Sequence, residues 1–314
     1  MKGKSVLITG GAGFIGRRLA AELRNENKVT VLDMYSRTSS DYASELEDVR
    51  YVRGDVLDKE IVKQTMRGCD VVVHAAGIAG IDTVGRSPVN TIRVNAFGTE
   101  IVLSSAIEVE GVERVICFST SEVFGKFAYD VSEACETSIG PVGQPRWTYA
   151  ASKLLSEHLA HSYWHEFGLP TVVVRPFNVY GPGQIGEGAV KKFVLRALSD
   201  EEIVINGNGN QIRSWCFIDD FIQGILLCSE STAAVGSSFN IGNPRAVATT
   251  LDLAQRIINL ADSRSRVSHA PALDADILVR IPDTERAEQV LGYTPRVDLD
   301  EGLRRTIDDA RVSR

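Results

Sequence analysis

Two side chains one helical turn apart could perform acid–base chemistry in this sequence. Tyr149 and Lys153 stand at i and i+4 in a segment of helical pattern, so they share one face of the helix. A tyrosine exchanges protons near neutral pH only when its pKa falls well below about 10, and a neighbouring ammonium group favours the phenolate. Three polar residues, Thr120, Ser121 and Glu122, lie just beyond an apolar run that ends at Phe118. The sequence therefore predicts a site in which a tyrosine transfers protons.

The elements that carry these residues alternate between strand and helix. Near-continuous apolar strands and amphipathic helices fill the first half, which is typical of a parallel sheet covered on both faces. We predict an α/β fold, a doubly wound parallel sheet (Rossmann fold) with a smaller mixed C-terminal substrate-binding lobe. The sheet domain takes residues 1–178 and a returning segment at about 222–265, and the lobe takes 179–221 and 266–314. Asn-Gly turn chemistry predicts a hairpin at 202–217.

A glycine-rich turn joins the first predicted strand to the first helix. Its glycines are Gly10, Gly11, Gly13 and Gly16. Such a turn lets backbone N–H groups approach a pyrophosphate at the helix N-terminus. Asp33 ends the next strand about 20 residues later, where a carboxylate binds a ribose 2′-hydroxyl and repels a 2′-phosphate. The pattern favours NAD as the cofactor, and the nearby Arg37 keeps NADP as an alternative.

The composition limits the partners and the compartment. The net charge of −7 argues against a general nucleic-acid or anionic-membrane surface. Neither a signal-peptide core nor an apolar run of the roughly 20 residues that cross a bilayer is evident. The five cysteines, an odd number without a CxxC pair, favour reduced thiols in the cytoplasm.

Motifs along nearly the whole chain resemble the extended short-chain dehydrogenase/reductase family of NAD-dependent sugar-nucleotide epimerases, dehydratases and decarboxylases. In family order they are TGGAGFIG, HAAG, STSEVFG, YAASK, RPFNVYGPG and QIRSWCFIDD. The resemblance implies that NAD contacts Gly10, Gly13, Phe14, Ile15, Gly16, Asp33, Arg37, Asp55, Val56, Ala75, Ala76, Gly77, Asn95, Tyr149 and Lys153.

The same resemblance assigns roles at the substrate end. Thr120 resembles the residue that hydrogen-bonds the sugar 4-hydroxyl, Tyr149 the base, and Lys153 the residue that tunes it. A nucleoside-diphosphate sugar, with UDP favoured as the nucleotide, would contact Thr120, Ser121, Asn178, Val190, Arg213 and Arg280. The alternatives are a surface hairpin position for Arg213 and an ordinary ion pair with Asp283 for Arg280.

The residues after Thr120 bear on the reaction. A 4,6-dehydratase needs an acid to protonate the leaving 6-hydroxyl, and Ser121 cannot supply that proton. The Thr120-Ser121-Glu122 triplet, with VRIPD around Arg280, resembles UDP-glucuronate decarboxylases instead, although Phe124 stands where the family usually has tyrosine. We therefore expect a UDP-glucuronate decarboxylase. The alternatives are a 4-epimerase of UDP-glucose or UDP-glucuronate, which shares the first step, and a non-catalytic NAD-binding regulator, which would not need Thr120, Tyr149 and Lys153.

Three histidines on one predicted helix have a different interpretation. His158, His161 and His165 are spaced like metal ligands on one helix, but no further ligand is convincingly placed, so we predict no metal. In the family this helix and the one carrying Asn95 pair across a subunit interface. The resemblance thus implies a homodimer.

Overall fold

The computed structural model describes residues 1–34, 46–273 and 275–312. Arg37 therefore lies outside the described residues. The described helices, numbered in chain order, are α1 (Phe14–Leu23), α2 (Lys59–Met66), α3 (Ile81–Arg86), α4 (Pro88–Ile92), α5 (Gly98–Glu108), α6 (Pro145–Phe167), α7 (Ala189–Leu198), α8 (Ile218–Glu230), α9 (Thr250–Leu260), α10 (Glu285–Leu291) and α11 (Leu299–Val312). A π-helical segment, Arg93–Phe97, joins α4 to α5, and short 3₁₀ turns cover Ser121–Phe124 and Thr232–Ala234.

Seven parallel strands form the main sheet in the described chain. They are β1 (Ser5–Thr9), β2 (Lys28–Asp33), β3 (Val49–Arg53), β4 (Val71–His74), β5 (Arg114–Phe118), β7 (Thr171–Pro176) and β12 (Ser238–Ile241). Their order is β12-β7-β5-β4-β1-β2-β3. After β1 the chain adds β2 and β3 on one side of the sheet, and it then continues from β4 on the other side. The connections that leave β1 and β4 therefore run in opposite directions and open a crevice outside the carboxyl ends of these two strands, where doubly wound sheets bind ligands. The fold class predicted from the sequence is confirmed.

The lobe is built around a smaller mixed sheet. Its strands, in the order β13-β10-β15-β6, are β13 (Val247–Thr249), β10 (Ile212–Ser214), β15 (Val279–Pro282) and β6 (Phe127–Val131). Two strand pairs complete the described sheets: β11 (Cys216–Phe217) with β8 (Val179–Tyr180), and β14 (Val267–Ala270) with β9 (Ile203–Asn206). The domain boundaries given above stay predictions.

The predicted hairpin at 202–217 is wrong. Strand β9 pairs in parallel with β14, while β10 pairs with β13 and β15, so the two halves of the expected hairpin belong to different sheets. The turn residues at 207–210 favour a reversal of the chain direction, but they do not determine which strands pair with β9 and with β10. This correction matters for the site, because Arg213 on β10 lies beside Arg280 on β15.

Candidate active site

The turn after β1 has the shape that a dinucleotide requires. Gly10 has a φ of +71°, and a Cβ there would lie 2.6 Å from the Cα of Ala76 at the end of β4. A Cβ on Gly16 would lie 2.5 Å from the Gly10 carbonyl oxygen, so helix α1 packs directly against the turn. Side chains at these positions would fill the cradle in which backbone N–H groups meet a pyrophosphate. The residues present fit a bound dinucleotide.

The predicted ribose and adenine contacts lie along the same edge of the sheet. The Asp33 carboxylate accepts a hydrogen bond from the Ala12 backbone N–H at 3.0 Å, so it lies against the glycine turn. Asp55 follows β3 and accepts from the Leu57 N–H at 2.9 Å, and Val56 is buried against Gly98. These positions agree with the sequence prediction, while the contacts to the cofactor themselves stay predictions.

A hydrogen-bonded group holds the loop after β4. The buried Asn95 accepts from the Ile78 N–H at 2.7 Å and donates to the Ser152 hydroxyl at 3.1 Å. A Cβ on Gly77 would lie 3.0 Å from Asn95 Oδ1 and 3.2 Å from Lys153 Nζ. Asn95 and Ser152 thus tie the π-helical turn, the loop and helix α6 together. This brings Lys153 to the crevice between β1 and β4.

The catalytic pair predicted from the sequence lies in this crevice, although its electrostatics differ from the expectation. Lys153 is buried and donates to the Phe118 carbonyl oxygen at 2.9 Å, and burial lowers the pKa of Lys153 to about 8. Burial and then the Glu122 carboxylate raise the pKa of Tyr149 to about 12, against the lowering effects of Thr120, Arg280 and Arg146. The expectation that lysine depresses the tyrosine pKa is therefore not met, because burial disfavours the phenolate more strongly.

Thr120 lies two residues after β5, at the start of the polar triplet Thr120-Ser121-Glu122. It is buried, and its hydroxyl oxygen accepts from the Glu122 N–H at 3.2 Å, which caps the 3₁₀ turn Ser121–Phe124. This cap directs Glu122 toward two arginines. Glu122 Oε1 lies 3.2 Å from an Arg146 nitrogen and 3.5 Å from an Arg280 nitrogen. The partner of Arg280 is therefore Glu122, and the alternative pairing with Asp283 is wrong.

Arg280 has more hydrogen-bonding capacity than its protein partners use. Its side chain is 5% exposed, and its Nε and second terminal nitrogen are buried without an acceptor among the described residues. Burial lowers the pKa of Arg280, while Glu122 opposes that effect. Arg146 also has a buried Nε without an acceptor in the described chain. Sequence reasoning did not identify Arg146, although its position three residues before Tyr149 was the available signal.

One cleft of about 610 Å³ joins these groups. Cofactor-side and substrate-side residues both line it, including Ile15, Ala75, Gly77, Thr120, Ser121, Glu122, Arg146, Tyr149, Lys153, Asn178 and Arg280. Asn178 has a φ of +38° and donates to the Ser214 carbonyl oxygen at 2.7 Å. Val190 and Arg213, both in the described chain, are not part of this lining. Their contacts to a substrate stay predictions.

Arg213 is held from behind the cleft wall. It donates to the Ile277 carbonyl oxygen and lies 3.7 Å from Asp276, and burial and then the neighbouring Arg280 lower its pKa to about 10. Within the described residues, three or more histidine, cysteine or acidic groups do not come together as a metal site. His161 instead hydrogen-bonds the Ser238 hydroxyl at 2.8 Å.

The fold and the cleft define a dinucleotide-dependent enzyme with a tyrosine–lysine pair. A sequence model of the NAD dependent epimerase/dehydratase family matches residues 6–242. The chain belongs to this family, within the extended short-chain dehydrogenases/reductases. It is an NAD-dependent enzyme that modifies nucleotide sugars.

Two sequence relatives and one solved structure are similar to nearly the whole of this chain. UDP-N-acetyl-alpha-D-glucosaminuronate decarboxylase of Bacillus cytotoxicus is 33% identical, with 97% of each chain covered. UDP-glucuronic acid decarboxylase 1 of Danio rerio is 31% identical over 97% of this chain and 72% of its own. UDP-glucuronic acid 4-epimerase from Bacillus cereus, solved with UDP-glucuronic acid and NAD, superposes with a TM-score of 0.90 at 27% identity over 99% and 100% of the chains.

Proposed function

We propose that this enzyme oxidises a UDP-hexuronate at C4 and then decarboxylates it. The observation that carries the proposal is the buried Arg280, which lines the cleft that contains Thr120 and Tyr149 and has two nitrogens without an acceptor among the described residues. A guanidinium fork matches a carboxylate, and a buried donor without an acceptor is unfavourable. A substrate carboxylate at C6 would satisfy Arg280. The two relatives named as decarboxylases of UDP-hexuronates support the same substrate class.

The residues divide the reaction between them. Tyr149, with the Thr120 hydroxyl beside it, removes the proton of the C4 hydroxyl, and Lys153, held by the Phe118 carbonyl oxygen, would contact the bound cofactor. NAD bound at the glycine turn after β1 would supply the acceptor for the C4 hydride and the donor for its return. The C4 ketone makes the C6 carboxylate part of a β-keto acid, which loses CO₂ readily. A water that the Glu122 carboxylate orders then protonates C5 beside Ser121.

The direct test supplies UDP-glucuronate and UDP-N-acetylglucosaminuronate with catalytic NAD and follows CO₂ and the sugar by NMR. We expect CO₂ and a UDP-pentose. Arg280→Ala should bind NAD as the wild type does and lose decarboxylation, while Arg280→Lys, the matched control, keeps the charge without the fork. Tyr149→Phe should lose about 10²–10⁴-fold of activity with the fold intact.

A 4-epimerase is the second candidate, since the likeness to UDP-glucuronic acid 4-epimerase covers the whole chain. A 4-epimerase would form UDP-galacturonate and would release no CO₂. That product would contradict the decarboxylase proposal and support the epimerase.

The proposed assembly is a homodimer. Helices α4 and α5 and the π-helical segment contact α6, and this surface exposes the apolar side chains Val89, Ile92, Phe97 and Leu155. Two such surfaces can bury each other as a helix bundle.

The proposed location is the cytoplasm. All five cysteines are unpaired, four of them buried, and unpaired thiols are typical of a reducing compartment. As a separate observation, the described helices include none long and apolar enough to cross a bilayer.

A further inference from the structure

A single carboxylate connects the two sides of the cleft. Glu187 lies in the loop before α7, and its Oε2 accepts from the Asp82 N–H at 2.8 Å. Its Oε1 accepts from the Thr83 N–H at 3.1 Å and from the Thr83 hydroxyl at 2.6 Å. We call these three hydrogen bonds the Glu187 clasp. They join the loop at 181–188 to helix α3, which comes after strand β4 in the chain.

The clasp forms part of the wall around the reacting groups. Gly80, Ile81 and Asp82 from one side, and 185–188 from the other, line the same cleft as Tyr149 and Arg280. A Cβ on Gly80 would lie 2.9 Å from Glu187 Cδ, so the glycine allows this close approach. Lys192 on α7 lies 3.9 Å from Asp82 and adds a weaker contact between the same two sides.

The loop that carries Glu187 is rich in glycine. It contains Gly181, Gly183, Gly186 and Gly188, and the first three have positive φ. Glycine adopts such conformations without strain, and short glycine-containing segments commonly act as hinges. The Gly183 N–H donates to Asp309 of α11 at 2.9 Å, which anchors the loop on the lobe. Opening therefore requires loss of the clasp rather than rearrangement of the lobe.

The carboxylate is held in its charged form. Burial raises the pKa of Glu187, but hydrogen bonds from Thr83 and Asp82 outweigh that effect and leave the pKa below its ordinary value. Hydrogen bonds to an ionised acceptor are about twice as strong as neutral ones. Three of them on one side chain make the clasp a stable closure at neutral pH.

Resting on the function proposed above, we propose that the Glu187 clasp retains the 4-keto intermediate until the hydride returns to C4. The intermediate has no covalent bond to the protein, so its release competes with its reduction. With the clasp closed, the sugar leaves as the reduced UDP-pentose and NAD is regenerated. With the clasp open, UDP-4-ketopentose leaves, and its hydride remains on one equivalent of NADH. In both cases one CO₂ is lost, and the proton released at C4 balances the proton added at C5. With the clasp closed, one further proton from water reaches the C4 oxygen through Tyr149 as the hydride returns.

Three variants test the clasp from different sides. Glu187→Ala removes both acceptor oxygens and with them all three hydrogen bonds of the clasp. Thr83→Val removes the hydroxyl donor to Glu187, together with a 3.5 Å hydrogen bond from Arg86 on the same helix. Thr83 is not among the residues that line the cleft, so this variant weakens the clasp without touching the substrate. Glu201→Ala, an exposed carboxylate elsewhere on the lobe, is the matched control.

The ratio of UDP-4-ketopentose to UDP-pentose is measured by NMR, with NADH followed by absorbance. We expect a trace of ketone in the wild type and in Glu201→Ala. Glu187→Ala should raise the ratio at least about tenfold, with matching NADH, and Thr83→Val should raise it less. Hydrogen exchange, which needs no turnover, should show faster exchange of the Asp82 and Thr83 amides in Glu187→Ala.

Each contrary outcome has a separate meaning. An unchanged ratio in both clasp variants, or unchanged amide exchange, would overturn the role of Glu187. A wild type that releases stoichiometric UDP-4-ketopentose and NADH would overturn retention while leaving decarboxylation intact. A wild type that evolves no CO₂ would refute the proposed function instead. In that case, retention of the 4-keto intermediate is measured from the NADH that accumulates during epimerisation, because epimerisation also forms a 4-keto sugar.

Discussion

The environment of Tyr149 sets the pH dependence of the first proton transfer. Its hydroxyl shares the cleft with Glu122, whose negative charge raises the pKa of the tyrosine together with burial, while Arg146 and Arg280 lower it. A base with a raised pKa is mostly protonated at neutral pH, so its activity increases as the pH rises.

Replacing Glu122 by glutamine should move this pH dependence in a defined direction. Loss of a negative charge favours the phenolate, so the rising limb of kcat/KM against pH for C4 oxidation should shift to lower pH. The measurement is the initial formation of NADH from UDP-glucuronate between pH 6 and pH 10. Glu136→Gln, an exposed carboxylate, should leave the profile unchanged. A shift of the limb to higher pH would contradict the role given to Glu122.

At the scale of elements, a buried ion pair fixes the helix that carries Tyr149 and Lys153. Glu157, one turn after Lys153 on α6, contacts Arg175 on β7 at 2.7 Å and accepts from the Ser238 hydroxyl on β12 at 2.6 Å. Arg175 in turn lies 4.9 Å from the ring centre of Phe124 beside the catalytic turn. The pair thus links the helix, two strands of the sheet and the segment of Glu122.

Glu157→Ala should lower the free energy of unfolding by about 3–5 kcal/mol, because it leaves the buried Arg175 guanidinium unpaired. Urea denaturation measures the change, and Glu157→Gln, which retains hydrogen-bonding groups, should cost less. Burial raises the pKa of Glu157, but Arg175 outweighs it and the net pKa is below the ordinary value of 4.5. The stabilisation is therefore present above pH 4.5 and is lost as the pH falls through the lowered pKa. A constant difference between wild type and Glu157→Gln down to pH 3 would contradict this account.

At the scale of the whole molecule, exposed apolar side chains occur on many elements, and four of them, Val89, Ile92, Phe97 and Leu155, lie on α6 and the helical segments that contact it. Phe97 is 55% exposed and Leu155 is 46% exposed, on neighbouring helical segments that contact each other along α6. Apolar side chains grouped on one surface indicate an interface more strongly than scattered ones do.

The double variant Phe97→Asp/Leu155→Asp should be monomeric, because two carboxylates per subunit would be buried in the proposed dimer interface. Light scattering after size-exclusion chromatography gives the mass, with a dimer expected for the wild type. Val142→Asp, at an apolar side chain exposed elsewhere, should remain dimeric. A monomeric wild type, or a double variant that stays dimeric, would refute this interface.

The sequence by itself determined the fold class and the family, and it predicted the main groups of the site. The glycine turn after β1 and the Tyr149–Lys153 spacing depend on contacts within one turn or one helix, so they can be read from neighbouring residues. Thr120 and Asn95 were identified through motifs whose order follows the chain. In each case, the parallel sheet brings strand ends to one edge, and the position along the chain is sufficient.

Only the tertiary structure decided how separate segments meet. Glu187 and Thr83 are 104 residues apart, and Arg280 and Glu122 are 158 residues apart, so no local pattern pairs them. Two further features also depend on contacts between distant segments. They are the pairing of β9 with β14 in place of a hairpin and the raised pKa of Tyr149. Strand partners, burial and the charges around a group depend on long-range packing of the whole chain, which local propensity and spacing do not specify.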